Sequence, residues 1–290
     1  MSVGVVLLDL NQSETTVRCL ESLAAGTVCP STVVLVENGD RYVSREELDE
    51  LRQTLDIVVL RPTENLGCAG GRNLGLNYLA ANTGVSTCMI LDNDTVVPES
   101  FIATIEETPF DDHEVVAPVI ENLNDETVWS SGGAVEPDGT IDQFTCAPDA
   151  DAEPFSVDWS PGACLIMRKE TWEEVGEFDR WMNFLFEDIE WCLRVAEVGG
   201  DVVVHPNLVL QHEAHQTLGG KISPARTRYW ARNGTVFRLD TLGTDRSVTF
   251  EWLSRQLTLA LREFATGRLS YSRARFRGVV EGLTESVRRW

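Results

Sequence analysis

The chain has 290 residues, 43% of them hydrophobic, with a formal net charge of −22 at neutral pH. That length supports one large core with at most a modest appendage, no apolar run reaches the roughly 18 residues of a membrane span, and the acid excess argues against nucleic acid as a partner. The charge is uneven: residues 221–290 carry 14 basic against 6 acidic side chains, while residues 1–220 carry 10 against 40.

Four β-rich runs open the chain: VGVVLLDL (3–10), TVVLVEN (32–38), DIVVL (56–60) and TCMILDND (87–94). Helical patterns separate them, SETTVRCLESLAAG, SREELDELRQTL and CAGGRNLGLNYLAANTG, and Ser44 with Glu47 forms a capping box at the start of the second. Near-continuous apolar strands alternating with helices predict a parallel sheet covered on both faces. Residues 108–160 change character, to short extended pieces and turns, before a helix over DIEWCLRVAEVG that stops at Gly199-Gly200. In such sheets ligands bind beyond the carboxyl ends of the strands. Those ends carry Asp9 and Asn11, Glu37 and Asn38, Asn65, and Asp92 and Asp94.

Each candidate site has two readings. In extended backbone alternate side chains share a face, so Asp92 and Asp94 point the same way, either to hold Mg²⁺ or Mn²⁺ or simply as a polar turn. The glycine-rich NLGCAGGRNLGLN (65–77) either lets backbone approach a phosphate, with Arg72 pairing an anion, or serves close packing. Glu187 and Asp188, at the start of a helix, either answer its dipole or include a general base. His212 and His215 in VLQHEAHQT are structural, or complete a metal shell begun by carboxylates.

Taken in order, LLDLNQSETTVRCLESL, VVLVENGD, NLGCAGGRNLGL, ILDNDTVVP, GACLIMRKETWEEVGEFDRWMNFLFEDIEWCLRV, VLQHEAHQT and YWARN resemble a family-two glycosyltransferase over about residues 3–240. The likeness extends to its rhamnosyltransferase-like and galactofuranosyltransferase-like subgroup. It implies an α/β fold of the GT-A (Rossmann-like) type, a mixed, mainly parallel sheet flanked by helices. It also implies inverting transfer from a nucleotide-diphosphate sugar to a glycan or lipid-linked saccharide acceptor, aided by a divalent metal, Mg²⁺ or Mn²⁺. By the same resemblance Asp92, Asp94 and His212 are the metal residues, with Asp94 a direct ligand, and Asp188 of the Glu187–Asp188 pair is the base. Asp9, Glu37, Asn65, Gly67, Arg72 and Asn73 join Asp92 along the nucleotide. Asp9 stands where that family usually has Asn, and Glu37 where Asp is commoner, which bears on the identity of the nucleotide. A sugar-phosphate nucleotidyltransferase would need a basic residue in residues 1–17, and there is none. A non-catalytic nucleotide-sugar-binding or scaffold module would not need all the acids and the histidine together.

Residues 1–220 are therefore expected to form the catalytic domain, with a nucleotide-sugar half to about 95 and an acceptor half over 96–220. Residues 221–290 form a basic amphipathic helical extension. There Leu253, Leu257, Leu261 and Phe264, then Phe276, Val279, Val280, Leu283 and Val287, recur at helical spacing beside Arg273, Arg275, Arg277, Arg288 and Arg289. They either pack on the acidic body or contact the cytoplasmic face of a membrane. Seven cysteines without a CxxC pair, and a start lacking a secretory leader, fit a cytoplasmic protein. The acidic body, with lysine only at Lys169 and Lys221, fits a halophile.

Overall fold

The computed structural model describes residues 2–111, 113–149, 152–213, 223–243 and 246–289. Its strands are β1 (Val3–Asp9), β2 (Thr32–Glu37), β3 (Ile57–Leu60), β4 (Thr87–Asp92), β5 (Thr95–Val96), β6 (Glu114–Asn122), β7 (Val128–Ser130), β8 (Gly133–Val135), β9 (Ile141–Gln143), β10 (Phe155–Val157), β11 (Cys164–Arg168) and β12 (Asp201–His212). The helices are α1 (Ser13–Ala24), α2 (Arg45–Leu51), α3 (Gly67–Asn82), α4 (Phe101–Glu107), α5 (Lys169–Val175), α6 (Glu187–Glu197), α7 (Pro224–Val236), α8 (Arg246–Ala265) and α9 (Leu269–Arg289).

The main sheet runs β10-β12-β6-β11-β4-β1-β2-β3, with β5 on β12 and β7 on β6. Strands β4, β1, β2 and β3 are mutually parallel, and β11 enters antiparallel between β4 and β6. The four early apolar runs are buried because helices cover both faces. Val3, Val5 and Leu7 of β1 pack with α1, α2 and α4, whereas Val6 packs with α3, α5 and α6. Full burial of each such side chain is worth roughly 1.5–3 kcal/mol.

The capping box forms as expected: Ser44 Oγ accepts from Glu47 N–H at 3.2 Å, and Glu47 Oε2 accepts from Ser44 N–H at 3.0 Å. Part of the glycine-rich segment turns out to serve packing. A Cβ at Gly71 or Gly75 would overlap Leu8 or Val6, so these glycines let α3 lie close on β1.

Beyond the sheet, α7 is backed by α9. Gly278 and Gly282 bring α9 against the α7 backbone at Arg228 and Arg232, and Arg228 Nε pairs with Glu281 at 2.7 Å. Among the described residues no helix is long and apolar enough to cross a membrane. The boundary expected at 220/221 lies outside the described residues, but α7, just past it, contributes to the cavity considered next.

Candidate active site

The chain leaves β1 toward β2 on one side and reaches β4 on the other, so a crevice opens beyond the carboxyl ends of β1 and β4. Strand β4 ends at Asp92, and Asn93 and Asp94 form the turn into β5. Asn93 points inward, its Nδ2 donating to Asp9 Oδ1 at 3.1 Å and Thr16 Oγ1 at 2.8 Å. Asp92 and Asp94 both line a cavity of about 260 Å³. The expected same-side placement therefore holds, but through a turn rather than a continuous strand.

Pairing of β5 with the end of β12 sets His212 opposite Thr95. Its Nε2 lies 2.9 Å from Asp94 Oδ1. Burial lowers the imidazole's proton affinity, but the Asp94 hydrogen bond and the charges of Asp94, Asp92 and Glu213 outweigh this, holding its pKa above the ordinary value. One ligand atom each from Asp92, Asp94 and His212 lies within 4.8 Å of the others. Two hard carboxylates and an imidazole suit Mg²⁺ or Mn²⁺, so the residues present fit a divalent ion, whose binding would displace the histidine proton.

The start of α6 forms the facing wall. Glu187 and Asp188 are its first two residues, where the helix dipole favours acids, and both also line the cavity. Asp188 Oδ2 accepts the Gly162 N–H at 3.0 Å. Glu187 is buried, and its Oε2 has no partner among the described residues. Burial, then repulsion by Asp188, raises its pKa to about 7 against the pull of Arg72. Arg72 joins the two walls: Nη2 donates to Asp92 Oδ1 at 2.9 Å and to the Gly162 carbonyl at 2.8 Å, and Nη1 to Glu187 Oε1 at 3.1 Å.

Arg72 thus answers the site's own carboxylates, Asp92 and Glu187, in this structure. Three further residues expected along the nucleotide also meet groups of the protein itself. Asn73 is fully buried and exchanges two hydrogen bonds of 2.9 Å with the Phe178 backbone. Gly67, at φ 73°, makes room for Asn183, whose amide a Cβ would overlap. Glu37 is fully buried and accepts from Val43 N–H at 2.7 Å and Arg61 Nε at 2.6 Å. Asp9 is buried too; its Oδ1 accepts from Gln12, Thr16 and Asn93, and its Oδ2 has no partner among the described residues. Asn65 is exposed, its Oδ1 accepting from Gly67 N–H at 2.8 Å. His215 lies outside the described residues.

Sequence reasoning gave no role to the large side chains that also line the cavity, among them Trp129, Trp159, Phe184, Phe186, Arg226 and Trp230. Trp129 sits edge-on to His212, with ring centroids 4.8 Å apart. Arg226 lies over the Phe184 ring at 5.6 Å. Phe184, Phe186 and Trp230 stood inside the quoted motifs NFLFED and YWARN, which was the available signal.

With this geometry in place, similarity to known proteins decides the family. A model described as glycosyltransferase like family 2 matches residues 2–231. The chain belongs to this family. This glycosyltransferase is 22% identical to the dTDP-rhamnosyl transferase RfbF of Shigella flexneri, over 87% of this chain and 86% of that one. It is 30% identical, over 43% of its length and 41% of the other's, to an N-acetylglucosaminyl-diphospho-decaprenol L-rhamnosyltransferase of Mycobacterium tuberculosis. Its fold, GT-A, is shared with GalNAc-T7 solved with UDP, GalNAc and Mn²⁺, at a TM-score of 0.62 and 20% identity. That likeness covers 83% of this glycosyltransferase and 50% of GalNAc-T7, so it spans half the length of that protein.

Proposed function

We propose that this glycosyltransferase moves a sugar from a nucleotide-diphosphate donor to a lipid-linked saccharide, inverting the anomeric centre in one displacement. The observation that carries the reading is the meeting of two differently furnished acid pairs in one cavity, Asp92 and Asp94 beside His212, and Glu187 and Asp188 at the start of α6. Asp92, Asp94 and His212 would hold Mg²⁺ or Mn²⁺, and a bound ion offsets the charge gathering on the departing diphosphate. Asp188 is the base. It takes the acceptor hydroxyl's proton as that oxygen bonds to the anomeric carbon and the carbon's bond to the diphosphate breaks. The Gly162 N–H orients its carboxylate while leaving lone pairs for the hydroxyl.

Donor contacts in this reading come from Asn65 at the rim and from Asp9, whose partnerless Oδ2 suits an N–H or O–H of the nucleoside. Glu37 acts one step back, by holding Val43 and Arg61. The aromatic wall of Trp129, Phe184 and Trp230 offers flat apolar faces to the acceptor sugar. A lipid-linked acceptor is supported by the named substrate of the mycobacterial relative, and a divalent ion by the Mn²⁺ in GalNAc-T7. Such an acceptor suits an enzyme resting on the cytoplasmic face of a membrane.

The test offers the protein a panel of nucleotide-diphosphate sugars with a polyprenyl-diphosphate saccharide. Nucleoside diphosphate release and the product's anomeric configuration are read together. One donor should turn over, with inversion. Retention of configuration, or consumption of a nucleoside triphosphate with a sugar phosphate instead, contradicts the reading.

A further inference from the structure

We infer that Arg232 and Asn233 of α7 are positioning residues for the Glu187–Asp188 pair, acting by clamping the backbone just ahead of α6. The inference rests on the proposed role of that pair. Asn183, Leu185 and Phe186 have φ of 59°, 70° and 71°, three non-glycine residues in the left-handed region within four positions. Such a backbone persists only where its surroundings over-determine it, and here α6 begins at the next residue.

The surroundings do so through five successive carbonyls. Asn233, fully buried, donates from Nδ2 to the carbonyls of Met182 at 2.6 Å, Phe184 at 2.9 Å and Leu185 at 2.7 Å. An amide has two N–H bonds, so three acceptors must share them. Arg232 Nη2 donates to the carbonyls of Trp181 at 2.6 Å and Met182 at 2.9 Å, and its Nε to Asn233 Oδ1 at 2.8 Å, which orients that amide. The guanidinium also lies over the Trp181 ring at 4.3 Å. The fifth carbonyl, of Asn183, accepts from Cys68 N–H at 2.7 Å and Ala69 N–H at 3.3 Å in the first turn of α3.

Neither clamp residue lines the cavity, so each acts through the segment it holds. The clamp is itself braced: Arg289 of α9 pairs with Asp179 at 2.8 Å, beside the held segment, and the α9 glycines seat α7. By contrast Asp92, Asp94 and His212 hang on β4, the following turn and β12, which the clamp does not touch. Arg72 links the two halves, but each keeps its own backbone supports, so loss of the clamp should fall first on the Glu187–Asp188 wall.

The experiment compares wild type, Asn233→Ala and the milder Arg232→Lys by steady-state kinetics, calorimetric binding of donor and Mn²⁺, and amide hydrogen exchange. Expected for Asn233→Ala is a fall in kcat on the order of 10²-fold, the usual effect of about 1 Å of misplacement. Donor and Mn²⁺ affinities should hold, and exchange should quicken over residues 183–189 but not in β1 or β4. Arg232→Lys should show the same pattern at smaller amplitude, and carries the test if Asn233→Ala does not fold. Wild-type kcat in a variant whose segment exchanges faster overturns the inference. So does a loss of kcat matched by lost donor binding and faster exchange across the sheet, which marks mere destabilisation. Should Asp188→Asn retain wild-type kcat, the role of the acid pair fails instead, and the exchange data still report on the clamp.

Discussion

Arg72 lies within 3.1 Å of carboxylates from two different elements, so one buried charge serves both Asp92 and Glu187. The planar guanidinium can bridge them because its two terminal nitrogens point in different directions, which a lysine ammonium cannot reproduce. Even so, Arg72 does not fully offset the burial of Glu187 and its repulsion by Asp188, and the Glu187 pKa rises from the usual 4.5 to about 7. The folded chain therefore holds a proton on Glu187 over a range where the unfolded chain has lost it. Stability from this group is fully present below about pH 4.5 and declines as pH rises through about 7. Glu187→Gln removes that dependence. We expect its melting temperature to gain on wild type between pH 5 and pH 8, as followed by thermal unfolding at each pH. A gap that narrows with rising pH would show that Arg72 prevails and that Glu187 is held as the anion.

Among the elements, α8 and α9 depart most from ordinary packing. Phe250, Leu257, Leu261 and Phe264 follow one face of α8, and Phe276, Val280, Leu283 and Val287 one face of α9; all eight are exposed. The arginines divide: Arg275 and Arg289 pair with Glu263 and Asp179, while Arg255, Arg262 and Arg273 lie exposed along the helices. Arg289 thus ties the tail to the body at Asp179, Arg275 ties α9 to α8 at Glu263, and the apolar stripes stay exposed. In the proposal of a peripheral membrane enzyme these stripes enter the interface. Removing residues 270–290 would also strip α7 of its backing, so the cleaner variant is Leu257→Ser/Leu261→Ser/Phe264→Ser. Wild type should float with anionic liposomes and the folded triple variant should not. Equal flotation of the two, or a wild type that stays behind while sedimenting as a dimer that the variant abolishes, would assign the stripes elsewhere.

The parallel half of the molecule was legible in the sequence because its strands are buried on both faces and read as unbroken apolar runs ending in polar residues. The acids and His212 were legible for a related reason: their chemistry marks them wherever they fold. The partner of Arg72 was not, since only the tertiary fold decides which carboxylates meet a guanidinium. Nor was the aromatic wall, because Trp129, Trp159 and Trp230 come from three distant segments that the order of β6, β11 and β12 and the docking of α7 bring together. The use of Gly71 and Gly75 stayed open for the same reason, as a tight packing contact and a phosphate contact leave one pattern. Assembled, the molecule sets an acidic GT-A body beneath a basic helical part that both braces the Glu187–Asp188 segment and presents apolar residues outward. The account depends above all on the carboxylate–histidine cluster at the end of β4, where Asp94 has His212 at 2.9 Å. It is tested by following nucleoside diphosphate release against added Mn²⁺, wild type beside Asp94→Asn, after both are stripped by chelator. Wild-type activity should vanish on stripping and return with Mn²⁺, while Asp94→Asn stays at least about 10²-fold lower at every concentration. Full activity in stripped wild type, or an Asp94→Asn enzyme that Mn²⁺ restores to the wild-type rate, would contradict it.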